Sequence, residues 1–528
     1  MRRPPSSRGI PLRQPSETPR TPQTVVLLVV LLGYRTGWTR IGRVLPPPAI
    51  ALALGALVGA ALRVASPAAA ANLRFDPAFF FFALLPPIVF NAGFGLKKRA
   101  FFANFAAIVA FALAGTALSA LALGAGTYGA LVAGWIDPRH VGALPLIRCL
   151  MYGTLLSATD TVSTLTVFRA VGVPPLLHNL VFGESVLNDA ASVVLYETLR
   201  GGYHHVRGEE EGHVAWALAR ALVQNSVLSV VVGLAVSLAL ARTLKQMAPS
   251  RAATGAAEAS VLDVAVVAVG SYLSYLAAVG LGLSGIVAVF TSGIVHSHYS
   301  WHSLAPAARA SLPLFVEPLA VMAETFTFVY MGLQVAVGEL RYDAGLLLTA
   351  VPLCVAARVL NIVPLAWLLG RLGGPGGRPL ARIPGRVQAM QVLAGIRGSM
   401  AYALVINMPR TNEGLDDVAG NPYLEASTLL VIWVTTVLGG GLTAPAVRAL
   451  RLDGAEPSGP PDPEWEAPGR AAEPGGDGGA REALLGGGEG DEGPWSTRTL
   501  WRNVDDRFMK PIFGGSGGAG RRGGEGEG

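Results

Sequence analysis

Acidic side chains stand inside two segments of this chain that are otherwise apolar enough to cross a membrane. Glu184, Ser185, Asn188 and Asp189 belong to VFGESVLNDAASVVLY, and Asp160 belongs to SATDTVSTLTVF. A charged group at the centre of a membrane helix costs about 2.5–3.5 kcal/mol, so such a residue is a functional candidate by default. These carboxylates are the first residues to examine for chemistry.

The spacing in the first segment places polar groups on shared helix faces. Glu184 and Asn188 are four residues apart, as are Ser185 and Asp189, and residues at this spacing are neighbours on a helix. Aspartate and asparagine offer hard oxygen ligands, which suit alkali and alkaline-earth ions. The pattern predicts a cation site at Asp189. The alternative is a buried hydrogen-bond network that only holds helices together.

The second segment carries the signals of an interrupted helix. Thr159 and Thr161 flank Asp160, and small hydroxyl residues beside an acid weaken a helix by offering its backbone local hydrogen bonds. An interruption inside the membrane is tolerated where it is buried in protein or lines a cavity. If Asp160 only caps one half of the helix, its charge lies at the positive end of the helix dipole.

A buried arginine requires a partner. Arg397 lies between two glycines in AGIRGSMAYAL, and the acids available to it are Glu184 and Glu324, the latter in AETFTFVYMGL. A buried charge without a partner is far more costly than a paired one, so we expect an ion pair at Arg397. A pair that only sets packing is the alternative, as it is for Arg358 and Asn361 in AARVLNIVPLAWLLG.

The segments that must position these residues are membrane helices. The chain has 528 residues, of which 51% are hydrophobic and 14% charged, and a bilayer allows helices because each satisfies its own backbone. Candidate spans lie near 46–64, 78–94, 103–133, 143–169, 179–198, 214–242, 260–279, 282–296, 312–337, 345–371, 385–408 and 426–449. With the short run TVVLLVVLLG they number thirteen, which predicts an all-α polytopic membrane protein of 12–13 transmembrane helices.

The order of the spans indicates an internal repeat. In the count of thirteen, the Asp160 segment is the fifth span and the Arg397 segment is the twelfth, and each is interrupted by polar residues. Corresponding broken helices in two halves are typical of an inverted-repeat transporter, with its site where they cross. We therefore predict an antiporter-like fold with two broken, crossing helices.

The chain divides into three parts: a polar N-terminal segment at 1–23, a transmembrane domain at 24–450 and a tail at 451–528. The tail holds 21 glycines in 78 positions and is predicted to be disordered, apart from an island, TLWRNVDDRFMKPIFGG, that could dock. With 15 acidic and 9 basic residues, the tail has a net charge of −6. Because the whole chain has a net charge of +6, residues 1–450 carry a net charge of +12. Basic cytoplasmic loops explain this charge without a nucleic-acid partner. Two cysteines support neither a disulfide framework nor a thiolate metal site.

Five segments resemble, in order, the signature segments of the monovalent cation/proton antiporters, the sodium/proton exchanger family. They are FFALLPPIVFNAGFGLKKRAFFANF, SATDTVSTLTVF, VFGESVLNDA, AETFTFVYMGL and GIRGSMAYAL, and the resemblance covers about residues 75–450. The Asn188–Asp189 pair resembles the electroneutral branch, since a second aspartate replaces the asparagine in the electrogenic branch. The first segment is similar to plant vacuolar exchangers, whereas GESVLNDA and the tail island are similar to endosomal and Golgi exchangers.

The resemblance implies roles for individual residues. Asp189 would bind the cation or the proton, with Asn188 supporting the network. The residues around the ion would be Thr159, Asp160 and Ser185, and the charge partners within the core would be Glu184, Glu324, Arg358 and Arg397. It also implies a homodimer in which a mobile core carries the site past a static dimerisation domain.

Two positions depart from the pattern of the family. Thr161 stands where most members have proline, and Asn91, a substrate-access candidate, stands where many members have an acidic residue. A second carboxylate near the site is therefore missing. Both departures bear on the choice between sodium and potassium more than on the transport reaction.

The function expected from the sequence is electroneutral Na⁺(K⁺)/H⁺ exchange by alternating access, with proton and cation competing for Asp189. A potassium-selective exchanger, a cation channel and an intramembrane aspartyl protease are the alternatives. No enzymatic activity and no cofactor are predicted. The transported cation at Asp189 is the only metal, and the expected partners are Na⁺, K⁺, H⁺, the lipid bilayer, a second copy and a regulatory partner for the tail. The expected membrane is endosomal, Golgi or vacuolar, with the plasma membrane as the alternative.

Overall fold

The structure is a computed structural model that describes the greater part of the predicted membrane domain. The described residues are 45–67, 77–96, 101, 104–142, 144–206, 214–247, 256–372, 383–408 and 421–454, together with Met509 and Ile512 of the tail. The predicted N-terminal segment, the first apolar run and most of the tail lie outside the described residues.

The described residues form helices, and no strand occurs among them. The helices longer than four residues are α1 Pro47–Ala65, α2 Pro77–Phe94, α3 Phe105–Val132, α4 Pro145–Ser157, α5 Val162–Val171, α6 Pro175–Val206, α7 Val214–Met247, α8 Ala256–Gly280, α9 Gly285–Val295, α10 Pro306–Val337, α11 Ala344–Arg371, α12 Gly385–Leu393, α13 Ser399–Ile406 and α14 Pro422–Ala449. A π-helical turn at His296–Ser300 continues α9, and others interrupt α2, α3 and α14.

Each of the twelve predicted spans coincides with one helix or with a broken pair. Within the described part of the chain, eight helices are long and apolar enough to cross a membrane by length and composition: α1, α2, α3, α7, α8, α10, α11 and α14. The other four spans fall short for physical reasons. The pairs α4/α5 and α12/α13 are shortened by their breaks, α6 carries the polar cluster, and α9 is short.

Both predicted interruptions occur. Between α4 and α5 the chain leaves the helix at Ala158, whose backbone is extended, and re-enters it at Val162. Between α12 and α13 it leaves after Leu393 and re-enters at Ser399, with Gly398 extended at φ −144°. Each break therefore exposes a helix C-terminus and a helix N-terminus inside the bundle.

The helices pack as two groups. The core group contains α3–α6 and α11–α14, whereas the scaffold group contains α1, α2 and α7–α10. Glycines allow close contact within each group: in the scaffold, Gly55 of α1 lies against the backbone of Val329 on α10, and in the core, Gly153 of α4 lies against Gly124 of α3. Small residues of this kind let membrane helices approach closely. Close packing therefore occurs within each group, and α6 and α7 contact each other between the groups.

A polar cluster ties three loops together at one end of the core group. The His140 ring contacts the Asp343 carboxylate at 2.5 Å and stacks on Tyr423 with 3.8 Å between ring centroids, and Asn421 donates to the His140 carbonyl at 2.8 Å. The cluster joins the α3–α4 loop, the N-cap of α11 and the N-cap of α14. We call this end of the bundle the His140 end.

Asp343 is the acidic member of this cluster. Burial opposes ionisation of its carboxyl group, but hydrogen bonds from the Leu346 N–H and from His140 outweigh burial and hold the pKa of Asp343 below the usual value. A carboxyl group whose pKa is lower in the folded state stabilises that state above its unfolded pKa of about 4, and this stabilisation is lost as the pH falls through the lower, folded value.

We expect Asp343→Ala to lower the free energy of unfolding by about 1–3 kcal/mol at pH 7, because it removes the N-cap of α11 and the charged partner of His140. Thermal unfolding in detergent at several pH values measures this. The gap between variant and parent should shrink below about pH 4. The exposed neighbour Tyr342→Ala is the control. A gap that stays constant down to acid pH would contradict the role assigned to the charge.

Candidate functional site

The two broken helices meet through their unwound segments. The Asp160 N–H donates to the Ile396 carbonyl at 2.7 Å, which joins the α4/α5 break to the α12/α13 break. Gly398 lies directly against the Asp160 carboxyl group, where a Cβ atom would have no room. The crossing predicted from the sequence is therefore held by a main-chain hydrogen bond and by a position that only glycine fits without displacement.

Charged side chains lie at the helix ends that the crossing exposes. Asp160 Oδ1 accepts from the Val162 N–H at 3.1 Å, at the positive end of α5. The fully buried Arg397 guanidinium donates through Nη1 to the carbonyls of Ser157 at 2.8 Å and Ala158 at 3.1 Å, at the negative end of α4. Each charge has the sign that compensates the helix dipole it faces.

The prediction that Arg397 forms an ion pair with Glu184 or Glu324 is wrong. Arg397 binds main-chain carbonyls, whereas Glu184 pairs with Arg358 of α11. Arg358 also donates to the Gln391 carbonyl at 2.8 Å, and the Gln391 amide lies 3.5 Å from Glu184. The carbonyls at the broken end of α4 have no helical partner, so they accept hydrogen bonds from the Arg397 guanidinium in place of a carboxylate.

Side chains of α6 satisfy the rest of the unwound segment. Ser185 donates to the Thr159 carbonyl at 2.7 Å, and the Asn188 amide donates to the Ser157 carbonyl at 3.1 Å and to the Thr159 hydroxyl at 3.2 Å. Ser192 in turn donates to Asn188 Oδ1 at 3.0 Å. The structure therefore brings Thr159, Ser185 and Asn188 together in one hydrogen-bonded network.

Asp189 is the exception within this network. Its side chain is half-buried, and its Oδ1 atom is buried with no hydrogen-bond partner among the described residues. The Asp160 carboxyl group acts on it electrostatically. A buried acceptor without a donor is costly, so Asp189 presents an oxygen that a proton or a cation can satisfy.

Two predicted residues lie in the scaffold group. Glu324 is on α10, its Oε1 atom is buried with no hydrogen-bond partner among the described residues, and it interacts electrostatically with Asp160 instead of pairing with Arg397. Asn91 is half-buried on α2. Among the hydrogen bonds of the described chain, none joins Asn91 to Asp160 or Asp189, so the structure does not bring it into the network.

Four residues that hold the crossing or the α6 network were not predicted from the sequence. They are Gln391, Ser192, Thr435 and Thr436. Thr435 Oγ1 accepts from the Arg397 N–H at 3.0 Å, and Thr436 Oγ1 donates to the Arg397 carbonyl at 3.4 Å. Gln391 could have been predicted, because a glutamine inside an apolar span indicates a functional or structural role. Ser192, Thr435 and Thr436 could not, because serine and threonine are common in membrane helices.

The comparisons with known proteins agree with this geometry. The family model described as sodium/hydrogen exchanger, transmembrane, matches residues 25–449. Sodium/hydrogen exchanger 8 of Rattus norvegicus is 30% identical over 440 residues, which cover 82% of this chain and 71% of the rat protein. Sodium/hydrogen exchanger 5 of Arabidopsis thaliana is 32% identical over 413 residues, which cover 78% and 75%.

A solved structure has the same fold. The sodium proton antiporter MjNhaP1 from Methanocaldococcus jannaschii aligns with a TM-score of 0.55 at 18% identity, over 81% of this chain and 97% of that one. This likeness concerns the fold alone, whereas the family model spans most of the chain. The chain belongs to the sodium/hydrogen exchanger family, and it is a multi-pass membrane protein that exchanges a monovalent cation for a proton.

Proposed function

We propose that Asp189 binds the cation and the proton in turn and that exchange arises from their competition for this carboxylate. The supporting observation is the Asp189 Oδ1 atom, which is buried and lacks a partner while the neighbouring Ser185 and Asn188 side chains are hydrogen-bonded. Either H⁺ or Na⁺ neutralises the group, and neither leaves room for the other. Thr159 and Ser185 supply further oxygens of the type that binds alkali cations.

The charges around the crossing favour an electroneutral cycle. Asp160 and Arg397 carry opposite charges at complementary helix ends, and Glu184 and Arg358 form a pair. Within the core group these charges cancel, which leaves the charge of Asp189 to change during the cycle. Moving an ionised Asp189 without a bound ion through the hydrocarbon region is costly. The core group therefore moves across the membrane only when H⁺ or a cation neutralises Asp189, so that one cation moves per proton.

The two helix groups supply the moving parts of alternating access. Asp160, Asp189 and Arg397 belong to the core group, whereas Glu324 belongs to the scaffold group. We propose that the core group moves against the scaffold group and that the scaffold group forms the interface of a homodimer, as the family resemblance implies. Glu324 then faces the site from the static side of the interface.

The identity of the transported cation and the membrane of residence are also proposed here. Sodium is the favoured cation because the matched family and the relatives named above are described as sodium/hydrogen exchangers. Potassium is the second candidate, since oxygens from Thr159, Ser185 and Asp189 do not by themselves fix an ion radius. Similarity to endosomal, Golgi and plant vacuolar exchangers supports an internal acidic organelle, where the exchange regulates pH and cation content.

Dye-based proton flux in vesicles containing the purified protein tests the ion choice and the exchange reaction together. A pH gradient is imposed, and Na⁺, K⁺ or Li⁺ is added outside in turn. We expect Na⁺ to release the protons without a change in membrane potential. A potassium-only response supports the second candidate, whereas cation flux independent of the pH gradient would indicate a channel.

We expect Asp189→Asn to reduce exchange by at least 100-fold, because an amide neither accepts a proton at this pH nor balances the charge of a cation. Expression and melting temperature should stay near those of the parent, since Asp189 Oδ1 makes no hydrogen bond that the variant would lose. Asp453→Asn, at an exposed position after α14, is the matched control. Proton-coupled sodium flux at the parental rate in Asp189→Asn would refute the assignment.

We expect Gly398→Ala to reduce exchange by at least tenfold and to destabilise the protein by about 1–3 kcal/mol, because the added methyl group meets the Asp160 carboxyl group and separates the two breaks. Gly385→Ala is the control, since nothing lies within 4 Å of a Cβ atom at that position. Flux assays and thermal unfolding measure both effects. Equal behaviour of the two variants would show that the close contact at the crossing is unimportant.

A further inference from the structure

A tail residue contacts the scaffold group at some distance from the crossing. Met509 packs with Leu238 against a small cluster formed by Ala241 of α7 and by Val295 and Tyr299 at the end of α9. Met509 itself is half-buried, whereas the nearby Ile512 is exposed. We call the surface formed by Leu238, Ala241, Val295 and Tyr299 the tail notch.

The shape of the tail notch follows from how α7 and α9 pack. Gly233 of α7 lies against the backbone of Ala288 on α9, so the two helices approach closely. About two turns further along α7, the buried Ala241 packs with Val295 and with Tyr299 of the π-helical turn that continues α9, and Leu238 borders this apolar surface. A methionine fills an irregular apolar space of this kind well, because its side chain is unbranched and flexible.

The sequence around Met509 suits this surface. TLWRNVDDRFMKPIF brings three aromatic residues and Met509 together in a tail otherwise dominated by glycine and charge. The aromatic side chains beside Met509 make this segment the part of the tail best suited to an apolar surface such as the tail notch.

The tail begins at the end of the bundle where the tail notch lies. Helix α14 starts at the His140 end, so its C-terminus lies at the opposite end. There Gly440 contacts Pro46, just before α1 begins. Helices α1 and α10 run parallel, since Gly55 meets Val329 and Gly59 meets Leu333, so α10 also begins at this end, directly after α9.

The connecting chain is long enough to reach. Met509 comes sixty positions after Ala449, the last residue of α14. The glycine-rich composition of the tail predicts a disordered connection, and a random coil of this length has a root-mean-square span of about 45 Å. Tethering at this distance gives an effective concentration near the millimolar range, so a weak contact suffices to keep the segment bound.

We infer that the tail segment around Met509 docks in the tail notch of its own chain and joins the C-terminal tail to the scaffold group. Docking there also supports α9 from outside. On its other side α9 contacts α2 through His296 on Phe90, and the chain just beyond it does so through Trp301 on Phe94. The docked tail therefore stabilises the packing of α9 against α2, the helix that carries Asn91. This inference does not depend on the proposed ion site.

Disulfide cross-linking of the full-length protein in membranes tests the contact. Leu238→Cys combined with Met509→Cys should cross-link under mild oxidation, and the native Cys149 and Cys354 are buried and can stay. Thr243→Cys with Met509→Cys is the matched control, because Thr243 is exposed on another face of α7. We expect at least fivefold more product for the first pair, and the same product in the Asp189→Asn background.

A protease site introduced between residues 455 and 500 distinguishes a contact within one chain from a contact between two. After cleavage, an intramolecular cross-link holds the two fragments together without reducing agent. Equal cross-linking of the two pairs would overturn the inference. Cross-linked dimers would overturn it as well, since they place the segment on a second copy.

Accessibility supplies a second test that does not require a disulfide. Leu238→Cys is labelled with a membrane-impermeant maleimide in three backgrounds: the parent tail, Met509→Asp and Ile512→Asp. We expect labelling to rise at least threefold with Met509→Asp, because the charge prevents docking, and to stay near the parental value with Ile512→Asp. Equal labelling in all three backgrounds would show that Met509 does not cover the tail notch.

Discussion

The backbone polar groups at the crossing determine the rest of the structure. Two broken helices expose four helix ends inside a membrane, where each unsatisfied N–H or carbonyl group costs several kcal/mol. Here the Asp160 N–H bonds to the Ile396 carbonyl, and the carbonyls of Ser157, Ala158 and Thr159 receive donors from Arg397 and from α6. The crossing persists because side chains from other helices replace the missing helical partners.

This solution ties α6 to the broken helices. Glu184 joins α6 to α11 through Arg358 and lies beside Gln391 of α12, while Ser185 and Asn188 join α6 to the α4/α5 break. The residue after Asn188 is therefore held in a fixed position relative to both breaks. Satisfying the backbone and positioning Asp189 are the same structural task, which explains why the polar residues of α6 occur together.

Much of this arrangement could be predicted from the sequence, because the signals are local. Thr159, Asp160 and Thr161 weaken a helix at their own position, and the spacing from Glu184 to Asp189 fixes which side chains share a face of α6. Pairing across the chain was not predictable in this way. Arg358 and Glu184 are 174 positions apart, and the choice between Arg358 and Arg397 depends on the three-dimensional position of the α4 carbonyls. Composition and spacing do not contain that information.

The π-helical turn at Thr435–Gly439 in α14 has a consequence for comparing sequences of this fold. Such a turn contains one residue more than the α-helical turn it replaces, and here it places both Thr435 and Thr436 on the main chain of Arg397. Removing that residue would rotate everything after it by about 100° and separate Gly440 from Pro46. When a relative is one residue shorter in this helix, the alignment gap belongs inside this turn, and placing it in a neighbouring loop would misalign the end of the membrane domain.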